Sequence, residues 1–169
     1  MADDVFSSHG EPLEEIVLLM LGMRHQTQST AESCTGGMLA QRLTAIPDSS
    51  RGFIGGAVVY IPEMKTEFAG VPPDVIEREG TVSEAIARCL AEGIAARTGS
   101  DYGIGITGLA GPGGGPPGPD ADRPIGLVYI GLAGPGGTVV KELHLPGDRE
   151  RIRWWATQHA LEMLRRRLL

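Results

Sequence analysis

The segment AESCTGG, residues 31–37, carries the residue types that acyl-transfer chemistry needs. Its serine lies where a short strand, Ser29–Ala31, is predicted to give way to a helix running from Thr35 to about Ile46. A side chain at such a junction stands clear of the backbone, and the N–H groups of the first helical turn are expected to point into the same space. An attacking hydroxyl needs such donors for the oxyanion it creates. Taken alone, the segment favours the simpler interpretation that Ser33 or Thr35 is an ordinary helix cap, because serine and threonine are common at that position.

A serine hydroxyl needs a base, and Lys65 is the best-placed base in the sequence. It lies one helical turn beyond a predicted buried strand, residues 52–60, and a partly desolvated lysine can lose its proton near neutral pH. Lysine is otherwise found only at Lys141 in a chain rich in arginine. Tyr60, at the strand end, is a candidate for relaying the proton. The alternative is an exposed Lys65 paired with a glutamate, with Tyr60 in the core.

Other nucleophiles and bases fit less well. Cys34 is a rival nucleophile, because a helix N-terminus lowers the pKa of a thiol. Adjacent residues leaving a strand point in opposite directions, so only one of Ser33 and Cys34 is expected to face the site. Glu32 is expected to have a supporting role. A Ser–His–Asp triad is poorly supported by the positions of the histidines, which are His9, His25, His144 and His159.

A loop rich in glycine and proline is predicted from Gly108 to Pro124. Its first part, TGLAGPGGG at 107–115, has the composition of an anion-binding nest with many exposed N–H groups. It has neither the Gly-Lys-Ser/Thr ending of a Walker A loop nor a GxGxxG pattern at a strand–helix turn, so it specifies phosphate only weakly. Arg123 follows the loop and is a candidate for a charge-assisted contact with a phosphate or carboxylate.

The elements that must position these residues alternate along the chain. Helices are predicted at 13–23, 35–46, 63–69, 84–97 and 148–168, and strands at 29–31, 52–60, 102–107, 125–133 and 138–145. This order predicts a single α/β domain whose mixed sheet is covered by helices on both faces. Ligands gather at strand ends in such sheets, so residues 33–37, 60–65 and 107–115 are expected to meet there.

Composition limits the setting and the partners. A chain of 169 residues suits one domain, and a net charge of -6 with a pI near 5.2 argues against a nucleic-acid partner. Two cysteines, Cys34 and Cys89, make neither a metal set nor a disulfide framework. No signal peptide or bilayer-spanning run is found, so we expect a cytoplasmic protein without a membrane partner. Residues 1–10 are expected to be flexible, and a homodimer is the expected assembly.

Four segments together resemble the CinA C-terminal domain family, which includes the nicotinamide mononucleotide deamidases. They are AESCTGG at 31–37, PDSS at 47–50, ITGLAGPGG at 106–114 and RPIG at 123–126, and the likeness runs in register from about Leu13 through the last helix. The resemblance implies a three-layer α/β/α sandwich and no obligatory metal or other cofactor. It implies conversion of nicotinamide mononucleotide, a small-molecule nucleotide, and water to nicotinic acid mononucleotide and ammonia.

The resemblance also implies roles for individual residues. Ser33 is the nucleophile, Lys65 the base and Tyr60 an assisting hydroxyl. The remaining predicted substrate-binding residues are Glu32, Thr35, Gly36, Gly37, Thr107, Gly108, Ala110, Gly111, Gly113, Gly114 and Arg123.

The chain departs from the family pattern in two places. The family usually has Tyr-Ser/Thr-Asn-Glu/Asp-Ala-Lys where this chain has YIPEMK at 60–65, so Ile61 and Pro62 replace a hydroxyl and an amide. The glycine-rich loop is longer, by residues 116–122. These differences leave two alternatives open: a ligand-binding or protein-interaction module of competence or DNA-damage type, or an amidase for another small amide. The nucleotide-hydrolysing domain of longer members has no counterpart here, so the prediction concerns the deamidase domain alone.

Overall fold

A five-stranded mixed sheet organises the chain. The computed structural model of the protein describes residues 10–169. The strands are β1 (Gln28–Glu32), β2 (Phe53–Val58), β3 (Tyr102–Gly108), β4 (Leu127–Ala133) and β5 (Val139–His144). Their order across the sheet is β2-β1-β3-β4-β5, with β1 parallel to β2 and to β3, and β4 antiparallel to β3 and to β5. The carboxyl ends of the three parallel strands therefore lie at one edge of the sheet.

Helices cover both faces of this sheet. They are α1 (Leu13–Arg24), α2 (Met38–Thr44), α3 (Pro62–Ala69), α4 (Pro73–Glu79), α5 (Glu84–Thr98) and α6 (Arg149–Arg167). One buried cluster joins α1, α2 and α6 to the side chains of Ile104 and Ile106, and a second joins α3 and α5 to Ala31 and Val59. The predicted three-layer α/β/α sandwich with a mixed sheet is confirmed.

Glycines in two adjacent strands bring α5 unusually close to the sheet. Gly105 in β3 and its partner Gly131 in β4 face the helix, and a Cβ on Gly105 would lie 2.6 Å from the carbonyl oxygen of Ala87. A Cβ on Gly131 would meet the same oxygen even more closely. The alternation of glycine with isoleucine in β3 thus lets α5 pack against backbone, while the isoleucines fill the opposite core. This contact fixes the start of α5 beside the strand ends.

Two element predictions need correction. The second helix begins at Met38, not at Thr35, because residues 34–37 form turns in which Gly36 and Gly37 adopt left-handed backbone angles (φ 59° and 90°). Helix α4 was not predicted, since its Pro72-Pro73 pair reads as the end of the preceding helix. Pro73 is instead the first residue of α4, a position where its missing N–H has no cost.

The described residues contain no helix that is both long and apolar enough to cross a membrane. The segment predicted to be flexible, residues 1–10, lies outside the described residues except for Gly10.

Candidate active site

The end of β1 holds Ser33 in a defined place. Its N–H donates to the carbonyl oxygen of Ile106 at 2.9 Å, which continues the pairing with β3 by one residue. Its own carbonyl accepts from the N–H of Gly36 at 3.0 Å and so closes the turn that follows. The residue is 8% exposed. Ser33 therefore lies at the carboxyl edge of the sheet with its backbone fixed on both sides.

Glu32 determines how the next helix begins. Its buried carboxylate accepts hydrogen bonds from the N–H groups of Leu39 (3.0 Å) and Ala40 (2.8 Å), the second and third residues of α2. A carboxylate at this position satisfies donors that a helix start otherwise leaves unpaired, and it complements the helix dipole. The prediction that the first-turn N–H groups of this helix face a substrate is therefore wrong. Glu32 is bonded away from the ligand side and holds the turn that carries Ser33.

Lys65 meets Ser33 in the interior. Its Nζ donates to Ser33 Oγ at 2.9 Å and to the carbonyl oxygens of Val59 (2.7 Å) and Tyr60 (3.3 Å). The side chain is 1% exposed, and no described carboxylate lies within ion-pair distance of it. An exposed Lys65 paired with a glutamate is thus excluded. The predicted meeting of segments 33–37 and 60–65 is confirmed by the contact between Ser33 and Lys65.

Burial changes the acid–base behaviour of Lys65. Desolvation lowers its pKa from 10.5 to about 8, although the charge of Asp120 acts in the opposite direction. About a tenth of the amine is then neutral at pH 7. A neutral amine has two N–H donors and one lone pair. If the Val59 and Tyr60 carbonyls hold the two donors, the lone pair is directed at Ser33, which is the arrangement that proton removal requires.

Cys34 does not share this activation. Burial raises the pKa of its thiol to about 12, and the positive charges of Lys65 and Arg149 offset only part of that effect. The thiol is protonated at neutral pH, so the expectation of a lowered Cys34 pKa is wrong. Both Ser33 and Cys34 line the cleft, so the expectation that only one of them faces it is wrong, but of the two only Ser33 accepts a hydrogen bond from Lys65.

A cleft of about 350 Å³ opens in front of Ser33. The start of α3 forms one side with Ile61 and Pro62, and Thr81 and Val82 form another. The glycine-rich loop supplies the rest of the lining. Its predicted binding residues in that lining are Gly108, Ala110, Gly111, Gly113 and Gly114.

Several other predicted binding residues do not line this cleft. Thr35 is fully buried, and its carbonyl accepts from Arg153 at 2.7 Å. Gly36 and Gly37 are absent from the cleft lining, and a Cβ added to them would lie 3.4 Å from side-chain atoms of Arg153 and Val58, respectively. Their role is conformational, since each holds a left-handed angle that favours glycine.

Thr107 and Arg123 are also engaged elsewhere. The Thr107 hydroxyl donates to the Thr81 carbonyl at 2.6 Å. Arg123 Nε lies 2.9 Å from a carboxylate oxygen of the buried Asp120, and its guanidinium donates to the Glu79 carbonyl at 3.0 Å. Arg123 was predicted to contact an anionic ligand. In the structure its guanidinium is instead paired with Asp120 of the same loop.

Arg149 lines the cleft, and sequence reasoning missed it. From the first turn of α6 it donates to the Gly111 carbonyl (2.8 Å) and to the Tyr60 hydroxyl (3.0 Å), and so connects two sides of the opening. Tyr60 is 56% exposed, which excludes a core role for its ring. No local pattern marks Arg149 among the many arginines, since its partners are 38 and 89 residues distant.

Neither a metal-binding cluster nor a histidine base is found at the cleft among the described residues. They contain no group of three or more histidine, cysteine, aspartate or glutamate side chains placed to hold a metal ion. The histidines His25, His144 and His159 are not part of the cleft lining, and His9 lies outside the described residues. The arrangement can supply a nucleophile, a base and a cleft for a small molecule.

Comparison with known proteins gives one consistent result. The family model of the CinA C-terminal domain matches residues 10–168. A CinA-like protein of Koribacter versatilis is 56% identical over 167 residues, covering 99% of this chain and 39% of that protein. A CinA-like protein of Myxococcus xanthus is 47% identical over 166 residues, which cover 98% of this chain and 38% of that protein. The chain thus spans about two fifths of the length of these relatives.

Solved structures agree with the sequence comparison. The competence/damage inducible protein CihA of Agrobacterium tumefaciens superposes with a TM-score of 0.85 at 33% identity, covering 95% of this chain and 96% of that one. A competence-damaged protein (CinA) superfamily member from Klebsiella pneumoniae superposes with a TM-score of 0.84 at 30% identity. The match covers 94% of this chain and 98% of that one. On the family match and these identities, the chain belongs to the CinA C-terminal domain family.

Proposed function

We propose that this domain is an amidohydrolase that converts nicotinamide mononucleotide and water to nicotinic acid mononucleotide and ammonia. The observation that carries the proposal is the buried Lys65 amine 2.9 Å from Ser33 Oγ, with its pKa lowered to about 8 by burial. This is a nucleophile–base pair of the Ser–Lys type, which serves acyl transfer without a histidine. Family membership supports the same chemistry, because the predicted roles of Ser33, Tyr60 and Lys65 come from that family.

The first half of the reaction uses the neutral form of Lys65. Its lone pair takes the Ser33 proton as Oγ bonds to the carboxamide carbon, which gives a tetrahedral oxyanion. The protonated Lys65 then gives that proton to the amide nitrogen, and the C–N bond breaks with release of ammonia. The oxyanion must be met by donors other than the Leu39 and Ala40 N–H groups, which Glu32 occupies.

The second half reverses the roles. Neutral Lys65 takes a proton from a water molecule as its oxygen attacks the acyl carbon of the ester on Ser33. Collapse of this second tetrahedral species breaks the bond to Oγ, and Lys65 returns the proton to Ser33 as the acid leaves. The two carbonyl oxygens of Val59 and Tyr60 hold Lys65 in one position through both halves.

A different small amide is the second candidate substrate. Ile61 and Pro62 line the cleft where the family usually has a hydroxyl and an amide, so this side offers apolar surface to the ligand. Lys65 itself is held by Ser33 and two backbone carbonyls, not by residue 62. The change therefore concerns substrate choice more than the nucleophile–base pair.

The test is ammonia release by the purified protein from nicotinamide mononucleotide, beside nicotinamide riboside and nicotinamide. We expect turnover of the mononucleotide, and loss of that turnover in Ser33→Ala and Lys65→Ala. Turnover of another amide alone, again lost in both variants, would transfer the proposal to that substrate. A wild-type protein that hydrolyses none of the three would contradict the proposed conversion of nicotinamide mononucleotide.

A further inference from the structure

The oxyanion of the proposed reaction needs a donor that the protein does not already use. When Ser33 Oγ bonds to the carboxamide carbon, the π electron pair of the C=O bond moves to the oxygen, which becomes an anion beside the serine. The N–H groups of Leu39 and Ala40 at the start of α2 are occupied, because the Glu32 carboxylate accepts from both. The donor must therefore be another group close to Ser33.

The N–H of Cys34, the residue after the nucleophile, is such a group. Cys34 lines the cleft and is 5% exposed, yet its N–H donates to no carbonyl, carboxylate or hydroxyl oxygen of residues 10–169. The sulfur of its own side chain lies near this N–H, but a protonated thiol is a weak acceptor. Buried N–H groups are almost always paired, so a free one beside a nucleophile indicates an acceptor that arrives with the ligand.

The peptide group that carries this N–H is connected to a charged residue of α6. Its carbonyl, that of Ser33, accepts from the N–H of Gly36 at 3.0 Å. The peptide group of Gly36 N–H contains the Thr35 carbonyl, which accepts from the Arg153 guanidinium at 2.7 Å. Two peptide groups therefore lie in series between the positive charge and the free N–H of Cys34. Hydrogen bonds in series polarise one another, so the charge of Arg153 makes this N–H a stronger donor.

The charge of Arg153 is not neutralised by a neighbouring carboxylate. Its side chain is half-buried, and among the described residues no carboxylate lies at ion-pair distance from it. Its Nε is also buried without a hydrogen-bond partner. Arg42, another half-buried arginine, is by contrast paired with Glu14 at 2.7 Å. An unpaired charge in such a place costs stability, so its contact with the Thr35 carbonyl indicates a role at the turn.

We propose that the N–H of Cys34 is the oxyanion donor at Ser33, and that Arg153 is a positioning residue that polarises this N–H through the two peptide groups. The oxyanion role rests on the proposed function, whereas the connection to Arg153 exists without a ligand. A trans peptide directs its N–H and C=O in opposite directions, so the Cys34 N–H points away from Gly36. The backbone of Cys34 takes part, and its thiol does not.

The kinetic test compares Arg153→Met with Arg151→Met, which removes an exposed charge two residues earlier on α6. A complete oxyanion donor contributes about 10²- to 10³-fold to kcat, and its polarisation contributes a part of that. Arg153→Met should therefore lower kcat for nicotinamide mononucleotide about tenfold and leave KM within about threefold, because the oxyanion forms only as the reaction proceeds. Arg151→Met should change neither, and Arg153→Lys, which keeps the charge, should recover part of kcat. A loss in Arg153→Met that lies in KM alone, or a kcat equal to that of Arg151→Met, would overturn the role of Arg153.

A nuclear magnetic resonance measurement observes the Cys34 N–H directly. The chain has two cysteines, so protein made with ¹⁵N-labelled cysteine gives two backbone amide signals, those of Cys34 and Cys89. In the ligand-free protein, Arg153→Met should move the Cys34 proton signal upfield and leave that of Cys89, whereas Arg151→Met should move neither. The aldehyde analogue of nicotinamide mononucleotide, to which Ser33 can add, should move the Cys34 signal downfield in the wild type but not in Ser33→Ala.

These signals separate the inference from the assignment of the reaction. If the protein neither hydrolyses nicotinamide mononucleotide nor adds the aldehyde, the oxyanion role fails with the proposed function, and a Cys34 signal that still responds to Arg153→Met supports the connection. An unchanged Cys34 signal in Arg153→Met would overturn that connection. A hemiacetal on Ser33, detected through a ¹³C-labelled aldehyde carbon, with no movement of the Cys34 signal would overturn the oxyanion donor.

Discussion

The two sides of the cleft are built in opposite ways. On the strand side, Ser33 and Lys65 are buried, and each is held by backbone groups within 2.7–3.3 Å. On the loop side, Gly113 and Gly114 are exposed, and Arg149 spans the opening with two bonds to neutral groups. The difference indicates a division of labour. Under the proposed function, the pair that reacts is oriented before a ligand arrives, whereas the loop side can adjust to the ligand.

The loop side is nevertheless anchored at its far end. The buried Asp120 carboxylate accepts from the Thr81 N–H (2.6 Å) and hydroxyl (2.7 Å) and from the Val82 N–H (3.3 Å). Gly80 leaves room for this carboxylate, which a Cβ at that position would contact too closely. The long loop is therefore fastened beside the start of α5, and its exposed part lies over the cleft.

The largest expected effect tests whether the strand side depends on proton transfer. Lys65→Arg should lower kcat by about 10³-fold, because arginine keeps the positive charge but cannot accept the Ser33 proton. Ammonia release in the steady state measures it, with thermal unfolding to check the fold. Lys141→Arg is the matched control at the exposed second lysine and should retain full activity. Near-normal turnover in Lys65→Arg would show that charge alone suffices and would remove Lys65 as the base.

The pH dependence should reflect the lowered pKa of Lys65. Because the proposed mechanism uses the neutral amine, kcat/KM should rise about tenfold per pH unit below a value near 8 and level off above it. The Asp120 charge raises the pKa of Lys65, so Asp120→Asn should move this limb to lower pH. A pH–rate profile of both proteins measures the shift. A limb that moves upward in Asp120→Asn, or a flat profile, would contradict the assignment.

A smaller effect is expected where the strand side meets α2. Glu32→Gln keeps one acceptor oxygen but places an amide NH₂ against the second helix N–H, so the free energy of unfolding should fall by about 1–3 kcal/mol. Urea unfolding measures it, with Glu15→Gln on exposed α1 surface as the control. Unchanged stability in Glu32→Gln would mean that the buried carboxylate does not support the turn.

The same division between the two sides explains what the sequence could predict. Lys65 follows an apolar strand, whereas Ser33 follows a short, mostly polar one, QSTAE at 28–32, just before the glycine turn. Because neighbouring parallel strands end at one edge of the sheet, the meeting of Ser33 and Lys65 follows from topology. The mixed sheet, its hairpin of β4 and β5 and the helix cover on both faces follow from the alternation of elements along the chain, but the order β2-β1-β3-β4-β5 across the sheet does not. The start of α2 was misplaced because the turns made by two left-handed glycines look like the beginning of a helix in sequence.

The loop side was predicted less well because its contacts are not local. The position of Arg123 next to the glycine-rich loop predicts a contact with a ligand, yet its guanidinium is paired with Asp120, three residues earlier. Arg149 reaches the cleft from α6, and only the packing of that helix brings it to Tyr60. Spacing within a sequence reveals periodicity, but it does not reveal which of several arginines reaches the cleft once the chain has folded.

The smallest expected effect concerns Pro62, which lines the cleft on the strand side, at the start of the helix that carries Lys65. Pro62 is the first residue of α3, a position where proline fits the helix and its missing N–H is not needed. Restoring the family residue with Pro62→Asn should therefore change kcat by less than about threefold and lower the free energy of unfolding by less than about 1 kcal/mol. Pro73→Asn, at the equivalent position of α4 and outside the cleft, should lose the same stability. A kcat increase of tenfold or more in Pro62→Asn alone would show that an amide at this position takes part in the reaction, and that the strand side is not complete without it.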